Sequence, residues 1–228
     1  MLLTISTTHQ PATELGYLLH KHPDLCQSFT LPFGQAHVFY PEADTQRCTA
    51  ALLVEVNPVK LAHRRGSSTE QYLSDRPYVA SSFLSVAIAQ VFSTALAGHS
   101  QRKLKLAQTP IPLVARLSVV PCRGGEELLQ QLFEPLGYSV STTGHLLDEN
   151  FPEWGQSHYY TVELHHTLTL AELLSHIYVL IPLLDDDKFY WLNDEEIEKL
   201  LRHGESWLNT HPAQEQIIRG YLKRRTQY

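Results

Sequence analysis

Apolar and polar positions at the start of the chain predict a strand, a helix and three further strands. Leu2, Leu3 and Ile5 predict a short strand, and the apolar spacing after Pro11 predicts a helix that Pro23 stops. Three β segments separated by turn residues follow at 28–31, 36–40 and 50–56. We expect these strands to form an antiparallel meander.

A long apolar helix is predicted at 79–97, after a polar loop. Its large residues, such as Phe83 and Phe92, are interleaved with alanines and serines, so nearly all of its faces are apolar or small. Such a helix is typical of a protein interior, and Gly98 is suited to cap its carboxyl end. We therefore expect a central scaffold helix.

The segment 99–112 follows this helix without a clear apolar period. It carries Arg102, Lys103 and Lys105 and contains two prolines near its end. We expect an exposed linker between two lobes. Its basic residues are compatible with a solvated loop or with a surface that faces phosphate groups, and the sequence leaves both readings open.

The second half of the chain also mixes strands with helices. Thr169 and Glu172 have the spacing of a capping box, which predicts a helix that starts at Leu170. Gly204 is expected to lie just beyond another helix. In full, strands are predicted at 117–120, 138–141 and 159–164, and helices at 126–136, 170–184, 194–203 and from Pro212 onward.

Together these elements predict an α+β fold. We expect two lobes of mixed or antiparallel sheet with packed helices, arranged around the central apolar helix. The predicted first lobe is 1–98, the linker is 99–112 and the second lobe is 113–228. Both halves have a similar order of elements but share no obvious residue identities, so an internal duplication stays an open alternative.

Composition and charge narrow the function. The chain has 228 residues, 43% of them hydrophobic and 18% charged, which is typical of a folded globular protein. Its formal net charge is -6, whereas a domain that grips RNA by itself usually carries excess Lys and Arg. We therefore expect no tight autonomous RNA binding.

The three cysteines form no C-x-x-C pair, and there is no leader-like or long apolar segment. These features predict a cytoplasmic protein outside the membrane.

Common catalytic and cofactor motifs are absent from the sequence. There is no glycine-rich nucleotide loop, no H-E-x-x-H zinc motif and no G-x-S-x-G nucleophile motif. His20, His22 and Cys26 have spacings that metal ligands use, but Pro23 interrupts them, so helix-end and core roles are favoured. The acidic run 185–187 is compatible with a helix-ending turn, a partner-facing patch or a divalent-metal site.

Seven segments, in order along the chain, carry a resemblance to a known family. They are Pro-Ala-Thr-Glu-Leu-Gly-Tyr-Leu-Leu-His-Lys-His-Pro from Pro11, Val-Phe-Tyr-Pro-Glu-Ala from Val38, Asp-Arg-Pro-Tyr-Val-Ala-Ser-Ser-Phe-Leu-Ser-Val-Ala from Asp75, Leu-Phe-Glu-Pro-Leu-Gly-Tyr from Leu132, Trp-Gly-Gln-Ser from Trp154, Leu-Ser-His-Ile-Tyr-Val-Leu-Ile-Pro from Leu174, and Glu-Ile-Glu-Lys-Leu-Leu-Arg-His-Gly from Glu196. Over nearly its whole length, the chain resembles the amino-terminal domain of the bacterial 3′-terminal RNA ribose 2′-O-methyltransferase.

This resemblance implies a role in RNA repair. In the family, the domain precedes a methyltransferase domain that uses S-adenosylmethionine and a divalent metal such as manganese. The family also implies a partner, a bacterial polynucleotide kinase-phosphatase-ligase, whose RNA ligase the domain binds and activates, and RNA that is reached through this complex. We expect the chain, which ends at Tyr228, to lack the methyltransferase domain and to hold no catalytic, cofactor-binding or metal-binding residue.

Two sets of candidate site residues follow. The predicted partner-binding residues are Asp75, Arg76, Tyr78, Asp186, Asp187, Lys188, Tyr190 and Trp191. At Asp75, Arg76 and Tyr78, a buried ion pair is the alternative to a contact site. At Tyr190 and Trp191, core packing is the alternative. The alternative function is an RNA-positioning domain, with predicted RNA contacts at Arg102, Lys103, Lys105, Lys223, Arg224 and Arg225. Ser74 and Phe189 depart from residues that are common in the family, so the resemblance supports no site at these two positions.

Overall fold

A computed structural model describes residues 1–57, 80–184 and 194–222 of the chain. Within these ranges, seven strands form a single sheet with the spatial order β2-β3-β4-β1-β5-β7-β6, and every neighbouring pair is antiparallel. The strands are β1 Leu2–Thr7, β2 Gln27–Leu31, β3 Gly34–Ala43, β4 Cys48–Val56, β5 Ile111–Pro121, β6 Ser139–Leu146 and β7 Gln156–Leu168. The α+β class and the predicted antiparallel meander of β2, β3 and β4 are therefore confirmed.

The first strand joins the two halves of the chain. Ile5 of β1 lies opposite Ala50 of β4 on one side and opposite Ala115 of β5 on the other. The sheet thus runs without interruption across the predicted boundary at 99–112, and the described residues share one hydrophobic core. The predicted division into two lobes is not confirmed, because β1 occupies the edge at which a separate first sheet would have ended.

Strand β5 is longer than its prediction at 117–120. It begins at Ile111, and its residues alternate between buried and more exposed positions, from Ile111 and Leu113 to Ala115 and Leu117. The prolines near its start favour a loop in a sequence reading, but Pro112 is the second residue of the strand, where a missing N–H is tolerated.

The helices cover the apolar face of the sheet. Helices α1 and α2 contact β4, α6 contacts β5, and α5 contacts β6. None of the helices in the described ranges is long and apolar enough to cross a bilayer. Their bounds are α1 Leu15–Leu19, α2 Ala80–Val91, α3 Ser93–Leu96, α4 Leu104–Ala107, α5 Gly125–Phe133, α6 Leu170–Leu180, α7 Asp194–Leu208 and α8 Gln214–Leu222, with 3-10 turns at Ala12–Glu14, Glu134–Leu136, Pro152–Trp154 and Ile181–Leu184.

Helix α2 corresponds to the apolar helix predicted at 79–97, but it ends at Val91 and the short α3 follows. Phe83 stacks on Phe33 with ring centroids 4.1 Å apart, and the Ser85 hydroxyl donates to the carbonyl of Tyr178 in α6 at 3.0 Å. The described part of the helix is thus packed between the sheet and α6. The prediction that two lobes are arranged around this helix is not confirmed, since the described strands form one sheet.

Helix α7 passes the predicted stop at Gly204 and continues to Leu208. Trp207 and Leu208 are both buried, so the last turn contributes apolar surface to the core. The prediction that the helix ends at His203 is wrong, because burial of these two side chains outweighs the modest preference of glycine for a helix end.

The other face of the sheet is polar, and its charged groups pair with one another. Arg116 lies 3.3 Å from Glu163, which is also 3.5 Å from His165. Nearer the centre, the hydroxyls of Ser6 and Thr49 are hydrogen-bonded at 2.9 Å. Antiparallel sheets commonly have one solvated face of this kind.

Strand β5 contains a bulge between Leu117 and Val120, in which the exposed Val119 has a φ of 62°. Val119→Gly is expected to raise the free energy of unfolding by about 0.5 kcal/mol, because relief of the left-handed valine exceeds the added freedom of glycine in the unfolded chain. Urea denaturation measures the change. Val114→Gly, a matched control in a regular part of β5, is expected to lower stability. Equal losses in both variants would contradict the strain at Val119.

Candidate partner and RNA surfaces

The segment that the sequence predicts as an exposed linker is bound to helix α1. The hydroxyl of Ser100 donates to the carbonyl of Tyr17 at 3.1 Å, and Nε2 of His20 lies 3.1 Å from the carbonyl of His99. Ser100 is buried. The segment 99–112 therefore includes packed backbone, helix α4 and the start of β5. Its role as a linker between two lobes stays a prediction.

This packing brings Arg102 beside an exposed tyrosine, with two further basic residues in the same segment. The guanidinium carbon of Arg102 lies 5.7 Å from the ring centroid of Tyr17, and Lys105 is exposed on α4. Lys103 is partly neutralised, because its Nζ lies 2.5 Å from Oε1 of Glu14. We call Tyr17, Arg102, Lys103 and Lys105 the α1–α4 basic surface. It contains the three described residues of the predicted RNA-contact set.

Lys21 lies next to this surface and was not among the predicted contacts. Its Nζ lies 5.1 Å from the ring centroid of Phe29 and 3.4 Å from the carbonyl of His20. Burial lowers the pKa of Lys21. No sequence pattern marks this residue, because two of its neighbours come from distant parts of the chain: Phe92, whose ring centroid lies 5.9 Å from Nζ, and Arg102, which lines the same cleft.

The remaining predicted site residues lie outside the described ranges. This holds for Asp75, Arg76, Tyr78, Asp186, Asp187, Lys188, Tyr190, Trp191, Lys223, Arg224 and Arg225. Their assignment as partner-binding or RNA-contacting residues stays a prediction.

A cluster of polar aromatic side chains lies in the core. The hydroxyl of Tyr138 is 2.8 Å from Nδ1 of His176, and the indole of Trp207 packs edge-on against the same imidazole with centroids 5.0 Å apart. Trp207 Nε1 donates to the hydroxyl of Ser175 at 3.3 Å. All four residues are buried, so the cluster joins α6 to α7 and to the start of β6 and is not open to a substrate. Burial raises the pKa of Tyr138 and lowers the pKa of His176 to about 4.

Two of the segments that carry the resemblance meet in this cluster. Tyr138 ends the segment from Leu132, and His176 belongs to the segment from Leu174. At these two positions the segments supply buried core contacts.

Residues of the described ranges do not assemble a metal site. No group of three His, Cys, Asp or Glu side chains within 1–57, 80–184 and 194–222 is arranged to hold a metal ion. His20, His22 and Cys26, which have ligand-like spacing in sequence, are not such a group. The described residues therefore do not fit the divalent metal that the resemblance implies for the methyltransferase.

The loop 147–155 between β6 and β7 exposes large apolar side chains that were not among the predicted partner-binding or RNA-contacting residues. Leu147 is 61% exposed, Phe151 45% and Trp154 59%. The rings of Phe151 and Trp154 stack with centroids 4.7 Å apart and an interplanar angle of 12°. A signal was present in the sequence, since these apolar residues stand among Asp, Glu, Asn, Pro and Gly, where a loop is expected.

The whole chain matches one protein family and shares its fold with chains of solved structures. A family model described as the RNA repair, ligase-Pnkp-associating region of Hen1 matches residues 1–228. Two solved structures, described as the Pnkp1/Rnl/Hen1 RNA repair complex and the Pnkp1/Rnl/Hen1 complex, contain chains with the same fold. They align with all of this chain at TM-scores of 0.63 and 0.61 and 14% identity.

The chain spans about half the length of these structural relatives, since it covers 52% of each. No curated protein matches the sequence. The structural likeness, at its low identity, shows the fold, whereas the family model shows the family over the whole chain. This chain belongs to the family of RNA-repair domains that form the ligase-Pnkp-associating region of Hen1.

Proposed function

We propose that this chain binds the RNA ligase of a polynucleotide kinase-phosphatase-ligase and shifts that ligase toward its active conformation. The observation that carries the proposal is the match of residues 1–228 to a family described as ligase- and Pnkp-associating. The fold is also that of a chain in a solved complex with Pnkp1 and Rnl. The chain thus acts as a protein-binding module, and no residue of it is assigned a catalytic role.

Activation by binding has a simple energetic requirement. The chain must bind the active conformation of the ligase more tightly than the inactive one. A tenfold shift between these conformations requires about 1.4 kcal/mol of differential binding free energy. A continuous seven-stranded sheet supplies a scaffold on which surface residues keep their positions, so little ordering free energy is lost on binding.

Ligation of a nicked RNA by the cognate kinase-phosphatase-ligase tests the proposal. The reaction is run with and without the purified chain and without S-adenosylmethionine, so that methylation does not contribute. We expect the chain to raise the rate of strand joining about tenfold, which corresponds to about 1.4 kcal/mol of differential binding free energy. An unchanged ligation rate at saturating chain, together with measured binding to RNA, would move the role to RNA positioning.

The α1–α4 basic surface favours RNA positioning as a second candidate function. Arg102 stands beside the exposed ring of Tyr17, and Lys105 is exposed on the nearby α4. A cation next to an aromatic ring suits a single-stranded nucleic acid. The net charge of -6 acts against strong binding by the chain alone. RNA affinity that falls steeply with salt and is lost in Arg102→Glu/Lys105→Glu would support this second function.

Methylation belongs to the proposal only for a longer protein of the family. S-adenosylmethionine and a divalent metal such as manganese would supply methyl transfer to the ribose 2′-hydroxyl there. In this chain no residue is assigned to either group.

A further inference from the structure

We propose that the loop 147–155 is the docking element of this chain, and that it inserts Phe151 and Trp154 into an apolar pocket bordered by Lys and Arg on a protein partner. This inference rests on the proposed function, because it takes the ligase as that partner. The loop joins β6 to β7, and β6 is at one edge of the described sheet. A partner can therefore approach the loop from beyond that edge.

Exposure is the first observation that supports this role. Leu147, Phe151 and Trp154 lie within one short loop, and all three side chains are substantially exposed. Single exposed apolar residues are ordinary, but a cluster that contains tryptophan marks a contact surface. Trp and other aromatic residues supply a large share of binding free energy when they fill a partner's pocket.

The loop is held in shape by its own backbone. The amide of Leu147 donates to the carbonyl of Gly155 at 3.1 Å, and the amide of Trp154 donates to the carbonyl of Phe151 at 3.0 Å. The amide of Asn150 donates to Oδ1 of Asp148 at 2.8 Å. With its two rings stacked, the loop has little conformational freedom left to lose on binding, which favours affinity.

Charge selects the kind of partner. The loop carries Asp148, Glu149 and Glu153, and the sequence has no Lys or Arg from 124 to 187. Acidic residues in the same short loop as the stacked rings repel RNA phosphates and anionic lipid, and they complement a protein surface that carries Lys or Arg. The chemistry therefore points to a protein with a basic border around an apolar pocket.

Calorimetric titration of the cognate kinase-phosphatase-ligase into the full chain tests the proposal. Phe151→Ala/Trp154→Ala is expected to weaken binding at least tenfold, because the rings no longer fill the pocket. Glu149→Lys/Glu153→Lys is expected to weaken it as well, and the wild-type affinity is expected to fall with added salt. Leu104→Ala is the matched control, since it removes an apolar side chain that is 55% exposed on α4.

Tryptophan fluorescence provides an independent readout. The chain has three tryptophans, and Trp207 is buried in the core. Burial of Trp154 in the partner is expected to shift the emission to shorter wavelength, and Trp154→Phe is expected to abolish that shift. Equal thermal unfolding midpoints for the variants and the wild type exclude misfolding as the cause of weaker binding.

The outcomes separate the docking element from the proposed function. If the wild-type chain does not bind the kinase-phosphatase-ligase, the proposed function fails and this inference fails with it. If the wild type binds but the loop variants bind equally well, the docking role is overturned while the function stands. Loop variants that lose RNA binding, or that only abolish self-association of the chain, would also overturn the docking role.

Discussion

Gly34→Ala is expected to lower the free energy of unfolding by about 3 kcal/mol. A Cβ atom at this position would lie 2.0 Å from the carbonyl oxygen of Glu55 and 3.0 Å from the Cα of Val56. Both atoms belong to the backbone of the neighbouring strand, so no side-chain rotation can make room. Relief requires β3 to move away from β4 at the paired positions Gly34 and Val56.

Gly144→Ala is the matched control for this variant. Gly144 is also a strand glycine, but its added Cβ would lie 3.5 Å from Oε1 of Gln156, which is an ordinary contact. Its stability is expected to stay within about 1 kcal/mol of wild type. Urea denaturation followed by circular dichroism measures both variants. A Gly34→Ala midpoint equal to that of the control would show that the two strands are not as close as described.

Acidification is expected to destabilise the fold by about 3 kcal/mol through His176 alone. Burial lowers the pKa of His176 from 6.5 to about 4, with Glu172 acting in the opposite direction and His166 and His211 adding to the decrease. The unfolded chain therefore binds a proton at a pH at which the folded chain does not. The stability that the neutral His176 contributes to the free energy of unfolding is fully present above about pH 6.5. It is lost progressively as the pH falls from 6.5 toward 4.

The neighbours of this imidazole explain why its pKa is lowered. With its proton on Nε2, the neutral ring accepts a hydrogen bond from the hydroxyl of Tyr138 at Nδ1, and the indole of Trp207 packs edge-on against it. Protonation of Nδ1 would remove that acceptor and place a charge in the core, where little solvent reaches it.

His176→Phe tests this source of the pH dependence. The variant is expected to be less stable than wild type at pH 7, because the hydroxyl of Tyr138 loses its acceptor. Its unfolding free energy is expected to change less between pH 7 and 4.5 than that of wild type. His158→Gln removes an exposed imidazole and serves as the control. Parallel stability curves for wild type and His176→Phe would exclude His176 as the acid-sensitive group.

Much of the local structure could be predicted from the sequence, because it depends on short-range chemistry. The capping box is one example: the hydroxyl of Thr169 accepts from the amide of Glu172 at 3.2 Å, and the carboxylate of Glu172 accepts from the amide of Thr169 at 2.9 Å. Gly137 ends its helical segment with a φ of 91°, as its position indicates. The family was also identifiable, since the quoted segments are read residue by residue.

The candidate surfaces were harder to predict. Arg102, Lys103 and Lys105 were selected for their charge. Tyr17, which Arg102 faces, lies in α1, and Glu14, which pairs with Lys103, lies in the 3-10 turn before it, both far away in sequence. The exposed rings of loop 147–155 were missed because composition does not reveal whether an aromatic residue is buried or exposed.

The sequence by itself determined the family, the α+β class, the meander and most helix starts. Only the tertiary structure decided that β1 lies between β4 and β5, that the segment after α3 packs on α1, and that Phe151 and Trp154 face outward. The physical reason is the separation along the chain of the residues that interact. Caps and periodicity depend on neighbours within a turn or two, whereas strand order and exposure depend on which distant residues exclude water together.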